Sequence, residues 1–126
     1  PHAGENGNFG RADIDQLAPG IAEANTEGIN ATGPFPSDTV FLAAKRGDFD
    51  GVVTMYHDQG QIAMKLIGFD RGVTIQGGLP IVIATPAHGT AFDIVGKNIA
   101  NLGATEHAFE LAAAIGSRIR AAKVAV

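Results

Sequence analysis

Cysteine is absent from the 126 residues. Its absence excludes a disulfide framework, a thiolate nucleophile and a thiolate zinc site, and leaves histidine and carboxylates for any metal or acid–base chemistry. No apolar run approaches the ~20 residues that a helix needs to cross a bilayer, and the first residues lack the basic-then-apolar form of a secretory signal. Positive charge is also scarce: 9 Lys plus Arg are scattered against 13 Asp plus Glu, for a net charge of −4. Nucleic acid and anionic membrane surfaces both require clustered cations, so neither is an expected partner, whereas a small anionic substrate is compatible with this balance. A soluble protein of the reducing cytoplasm is the expectation.

What is present is 45% apolar residues, enough for one core and one domain. Glycine is abundant, with 17 residues or about twice the usual ~7%, and falls in short polar clusters between apolar segments, as turns and sites do. The chain opens at Pro1-His2, without Met, directly in a glycine-rich run. That start predicts the C-terminal part of a longer protein.

Residues 1 to 12 read as a loop, because their glycines and asparagines hold neither helix nor strand well. From Asp13, the three- and four-residue spacing of Ile14, Leu17, Ile21 and Ala24 predicts a helix ended by Gly28, with Pro19 marking its regular start or a kink. Gly28 to Ser37 reads as extended chain and turn, and Asp38 to Ala44 as a helical or irregular patch. Val52-Val53-Thr54-Met55-Tyr56 has the composition of a strand buried on both faces. That would place His57 at a strand's C-terminal end, where ligands gather in open α/β sheets. Ile62 to Ile67 predicts one or two helical turns, and Phe69 to Gly72 a turn. Val73–Ile75 and Ile81–Ile83 are strand candidates separated by a break at Gly77 to Pro80. After Thr105 as N-cap, Ala108, Leu111, Ile115, Ile119 and Ala122 predict a long amphipathic helix, with Arg118, Arg120 and Lys123 where cations suit the dipole. The alternation of elements argues for an α/β protein.

Of the four histidines, His107 is expected on a helix surface. His2 sits where glycines let the backbone approach a ligand, and is either a site residue or an ordinary loop histidine. His57, with Asp58 beside it, is either a metal ligand or acid–base group or merely the cap of a strand. Imidazole suits divalent Zn, Co or Mn, and a third ligand shared with His2 would be Asp38, Asp58 or a residue upstream. Asp38 is either a helix cap or a carboxylate aimed into a cleft. The small residues His88-Gly89-Thr90-Ala91, followed by Gly96-Lys97-Asn98 and Asn101, would let a nucleotide lie against the main chain, or form a plain loop. Lys65, alone in an apolar stretch, either snorkels to solvent or meets an anionic ligand. Arg71 reads as structural.

Five blocks taken together carry a resemblance: Pro1-His2-Ala3-Gly4-Glu5, Gly33-Pro34-Phe35-Pro36-Ser37-Asp38-Thr39, Met55-Tyr56-His57-Asp58-Gln59-Gly60, Gly68-Phe69-Asp70-Arg71-Gly72-Val73 and His88-Gly89-Thr90-Ala91-Phe92-Asp93-Ile94. In this order, over nearly the whole chain, they resemble the 4-hydroxythreonine-4-phosphate dehydrogenases. Chains of that family are more than twice as long, which implies that an N-terminal part is missing here. The stretch from His88 to Asn101 is also similar to the nucleotide-binding loop of isocitrate and isopropylmalate dehydrogenases, implying the C-terminal portion of that two-domain α/β fold.

The resemblance implies oxidation of a secondary alcohol by NAD or NADP, with a divalent metal (Zn, Mg, Co or Mn) held by three histidines near a homodimer interface. His2 and His57 would be two of those ligands, and the third would lie upstream of Pro1. Asp38 and Asp58 would orient ligands or take the proton, and decarboxylation of a 3-oxo product can follow. His88, Gly89, Thr90, Ala91 and Asn101 would hold the cofactor. Lys65 would contact substrate; Thr74 stands where the family has an asparagine, and Ile83 where it has an arginine. Loss of that arginine removes a charge-assisted hydrogen bond of roughly 1.5–3 kcal/mol and favours a less charged group. Substrates of related enzymes, threonate or erythronate 4-phosphate or a terephthalate cis-dihydrodiol, are therefore alternatives. A non-catalytic nucleotide-binding or assembly fragment is the rival from another class, and a metal hydrolase a third reading.

Overall fold

The computed structural model describes residues 2–124. They fall into two compact units, Pro1–Gly60 and Gln61–Val126, instead of surrounding the single core that the apolar content predicts. The apolar side chains are present but mostly uncovered. Among the described residues only Ala104 and Ala108 are buried hydrophobics, while Val53, Leu66 and Phe92 are each more than 80% exposed.

The first unit opens on a tight turn, His2–Gly7, in which every residue has positive φ, from 44° at Glu5 to 96° at Gly7. The expected loop is thus a short left-handed coil. A wide π-type turn, Asp13–Leu17, leads directly into helix α1, Ala18–Thr26. Pro19 lies in the first turn of α1, where its missing N–H has no intrahelical acceptor to satisfy, so it starts the regular helix without breaking it. Asn25 Nδ2 donates to the carbonyls of Ile21 and Ala31, both at 2.8 Å, and folds the chain back after the helix. Phe35 and Phe49 pack with ring centroids 5.2 Å apart. Helix α2, Val40–Arg46, ends at Gly47, whose φ of 89° is the left-handed stop that glycine supplies most easily.

Residues 52–56 depart from expectation. They are not a strand: no partner pairs with them among the described residues, and Val53, Met55 and Tyr56 are exposed. β-branched and aromatic side chains favour extended backbone, but a strand also needs a neighbouring ladder, and none is present here. His57 consequently does not follow a paired strand. It begins helix α3, His57–Gly68, which is longer than the one or two turns expected. Gly60 lies inside this helix. Asp58 in the first turn suits the positive end of the dipole, and Gln59 Oε1 accepts from the Met55 amide at 2.9 Å.

The second unit is built on an antiparallel hairpin of β1, Val73–Gln76, and β2, Ile83–Pro86, in the register Val73 to Pro86 and Gln76 to Ile83. The second strand lies further along than Ile81–Ile83 because this register leaves residues 77–82 to the connection, where Pro80 supplies no amide for a ladder. Helix α4, Gly103–Val124, packs on the hairpin and on the 3-10 turn Phe69–Arg71, with Ala104 and Ala108 on its buried side. It starts before Thr105, which is inside the helix and not its cap. Asn101 Oδ1 takes that part by accepting from the Gly103 amide at 2.9 Å. No helix of the described residues is long and apolar enough to cross a membrane.

Candidate functional site

His2 stands at the head of the left-handed turn. Its Nδ1–H donates to Glu5 Oε1 at 2.6 Å, and its Nε2 lies 3.9 Å from Asp38 Oδ2. Left-handed backbone costs non-glycine residues roughly 1–2 kcal/mol each, and four are held this way: His2, Ala3, Glu5 and Asn6. Strain of this kind persists where surrounding structure enforces it, often at functional sites. Gly4 lies in the middle of this stretch. It is buried at φ 72°, and a Cβ there would lie 3.1 Å from the Gly10 carbonyl oxygen and 3.2 Å from Asp13 Oδ2.

Asp38 was open between cap and cleft residue. Thr39 flanks α2 without a side-chain cap bond, and the Asp38 carboxylate lies beside His2. His57, the first residue of α3, repeats the pattern of His2: its Nδ1–H donates to Asp58 Oδ1 at 2.8 Å. In each case a carboxylate occupies Nδ1, which leaves the Nε2 lone pair as the donor that a divalent ion requires. The donor chemistry of these two imidazoles therefore fits such an ion. Their number does not complete a centre, for among the described residues no group of three or more His, Cys, Asp or Glu side chains is gathered to hold a metal.

In the second unit, His88 and Asn101 line one small cavity with Phe69, Asp70 and Ala104. Two of the five residues expected to hold a cofactor thus meet, while Gly89, Thr90 and Ala91 are exposed on the adjoining loop. His88 Nδ1–H donates to the Gly89 carbonyl at 2.9 Å, and Ala91 takes a left-handed φ of 49°. The cavity, about 30 Å³, has room for a water and not for a nucleotide, so only an edge of a larger ligand could rest there.

His107 corrects a second expectation. Half-buried instead of on the open surface, its Nδ1–H donates to the Arg71 carbonyl at 2.8 Å and ties α4 to the turn that carries Phe69 and Asp70. Arg71 is structural as expected, through its backbone. Gly103 is fixed by the same neighbourhood: a Cβ there would lie 2.9 Å from the Asp70 carbonyl oxygen and 3.2 Å from Asn101 Oδ1. Gly103→Ala is expected to lower stability by about 1–2 kcal/mol despite the better helix propensity of alanine, because a backbone oxygen must move. A urea midpoint equal to or above that of the unmodified protein would refute this.

The substrate residues are less engaged. Lys65 is exposed on α3, and Thr74 is half-buried on β1 opposite Thr85. Among the described residues neither side chain is hydrogen-bonded. Ile83 begins β2. The sequence reading gave Glu5 no role and placed His107 on the surface without a partner. The signal for Glu5 was a carboxylate three positions after a histidine in a glycine-rich run; His107 offered none, since its partner is a carbonyl 36 residues away.

Comparison with known proteins supplies the family. The family model described as pyridoxal phosphate biosynthetic protein PdxA matches residues 1–112. The chain belongs to this family. A Pseudomonas aeruginosa protein provisionally named 4-hydroxythreonine-4-phosphate dehydrogenase 2 is 62% identical over 119 residues, which cover 92% of this chain and 35% of that protein. A Halalkalibacterium halodurans protein provisionally named D-threonate 4-phosphate dehydrogenase is 50% identical over 113 residues, covering 90% of this chain and 34% of the other. Among solved structures, the 4-hydroxythreonine-4-phosphate dehydrogenase of Klebsiella pneumoniae superposes with a TM-score of 0.75 at 47% identity, over 89% of this chain and 34% of that one. The PdxA-family chain described here thus spans about a third of the length of these relatives, and its α/β elements are those of the matching part of the solved enzyme.

Proposed function

We propose that these residues form part of a metal- and NAD(P)-dependent dehydrogenase that oxidises the secondary alcohol of a small phosphorylated hydroxy acid. The reading includes the isocitrate/isopropylmalate dehydrogenase-like fold, a position in the C-terminal part of the enzyme, and a homodimer with the site near its interface. One observation carries it: in a chain of the PdxA family, two histidines from distant segments each have Nδ1 held by a carboxylate, with Nε2 left to coordinate.

In this reading His2 and His57 are two ligands of a divalent ion, and a third comes from outside the described residues. Such an ion, when bound, supplies Lewis acidity that lowers the pKa of a chelated hydroxyl, and a nicotinamide supplies the hydride acceptor. Asp58 orients His57. Asp38, 3.9 Å from His2 Nε2, is placed to take the proton of an alcohol brought to the same edge of the ring. Lys65 and Thr74 contact the substrate. The loop of His88, Gly89, Thr90 and Ala91, with Asn101, holds the cofactor, His88 and Asn101 lying on one water-sized cavity beside it. Ile83 favours a substrate with one fewer anionic contact, and relatives carry the names of two substrates, 4-hydroxythreonine 4-phosphate and D-threonate 4-phosphate.

Nicotinamide absorbance tests the reading. The intact enzyme is expected to reduce NAD or NADP with one of these two alcohols, to lose turnover on chelation, and to regain it when Zn, Mg, Co or Mn is returned. The 126 residues alone are expected to be inactive. Turnover that is indifferent to chelation would overturn the metal assignment.

A further inference from the structure

We propose that Glu5 is the positioning residue for His2: its carboxylate, held across the left-handed turn, fixes the imidazole in one tautomer and presents Nε2 for coordination. This rests on the reading of His2 as a metal ligand and adds a residue to it. Glu5 Oε1 lies 2.6 Å from His2 Nδ1. A carboxylate oxygen is an acceptor, so the shared hydrogen belongs to Nδ1, and the lone pair is left on Nε2. A histidine that donates its second ring N–H to a carboxylate has both its ring orientation fixed and its ligand strength raised.

The turn gives this pair its geometry. Positive φ from His2 through Gly7 brings residues three apart to the same side within a single short coil. Gly4, between the two partners, has a φ of 72°, and a Cβ there would crowd the Gly10 carbonyl and Asp13, so glycine suits the middle of this turn. Asp38 does not compete for this role, since it faces the other nitrogen. His57 and Asp58 form an independent example of the same carboxylate-to-Nδ1 arrangement at 2.8 Å. Both His2 and Glu5 side chains are substantially exposed, 58% and 44%, so the pair adds little to folding and its effect falls on the ring.

The test uses the intact enzyme stripped of metal, with Glu5→Gln and Glu5→Ala compared to His2→Ala. Zinc alone is titrated in competition with a chromophoric chelator, and the His2 tautomer is read from long-range proton–nitrogen NMR correlations of the metal-free protein. Glu5→Ala is expected to weaken zinc affinity about 10- to 100-fold and to move His2 away from the Nδ1–H form, and Glu5→Gln, which keeps an acceptor without the charge, to fall between. If His2→Ala weakens zinc binding while both Glu5 variants bind like the unmodified enzyme, the role of Glu5 is overturned and the metal reading stands. An affinity loss with the tautomer unchanged also overturns it, because the carboxylate would then act only through the fold. Unaltered zinc affinity in His2→Ala would remove the metal reading and the role of Glu5 together.

Discussion

His57→Ala in the intact enzyme is expected to lower metal-dependent kcat/KM by about 1,000-fold or more while leaving the fold in place. A metal acting as Lewis acid contributes several kcal/mol of charge stabilisation, and each 1.36 kcal/mol is tenfold in rate, so a loss of about 4 kcal/mol corresponds to that factor. The fold has little to lose. The His57 side chain is 74% exposed, and its hydrogen bond is to the adjacent Asp58, so stability should change by no more than about 0.5 kcal/mol. Steady-state kinetics with a melting curve of the same sample separates the two effects. Full activity in the variant would refute the assignment, and a large drop in melting temperature would show that His57 serves the structure instead.

The second large effect concerns the second unit. Ala108→Asp is expected to destabilise that unit by about 3 kcal/mol or more. Ala108 is 4% exposed on the packed side of α4, and a carboxylate placed there loses its hydration. With Ala104 it makes up the buried apolar set of the described residues, so no reserve of core offsets the loss. For a unit of this size, each 1 kcal/mol corresponds to about 4–8 °C in melting temperature, which places the expected shift well outside experimental scatter. Ala113→Asp, on the exposed side of the same helix, is the control and should shift it little. Equal melting of the two variants would refute the packing described for α4.

The sequence carried α4 well because its signal is internal to one element. Of the periodic stripe Ala108, Leu111, Ile115, Ile119 and Ala122, the first four are buried or half-buried and Ala122 is exposed. β1 and the 3-10 turn before it were also legible from composition. Residues 52–56 were not, because their composition states a preference for extended backbone and is silent on whether a neighbour exists to pair with them. Gly60 does not interrupt α3, since a glycine in a helix costs only about 1 kcal/mol and Asp58 and Gln59 favour the helix start. The left-handed His2–Gly7 coil includes four non-glycine residues at positive φ, which no propensity encodes. Within the site, the sequence offered Asp38 as a partner of His2 and Asp58 as a neighbour of His57, and did not offer Glu5. That His2 faces Asp38, and that His88 shares a cavity with Asn101, are facts of tertiary placement.

The bare run at 52–56 has a consequence for handling and synthesis. Its main-chain amides and carbonyls lack a ladder, its side chains are greasy, and it contains neither the lysine nor the proline that commonly blunts such an edge. An uncovered, unpaired run of this kind is an aggregation liability, so self-association at high concentration is the expected consequence wherever it is left bare.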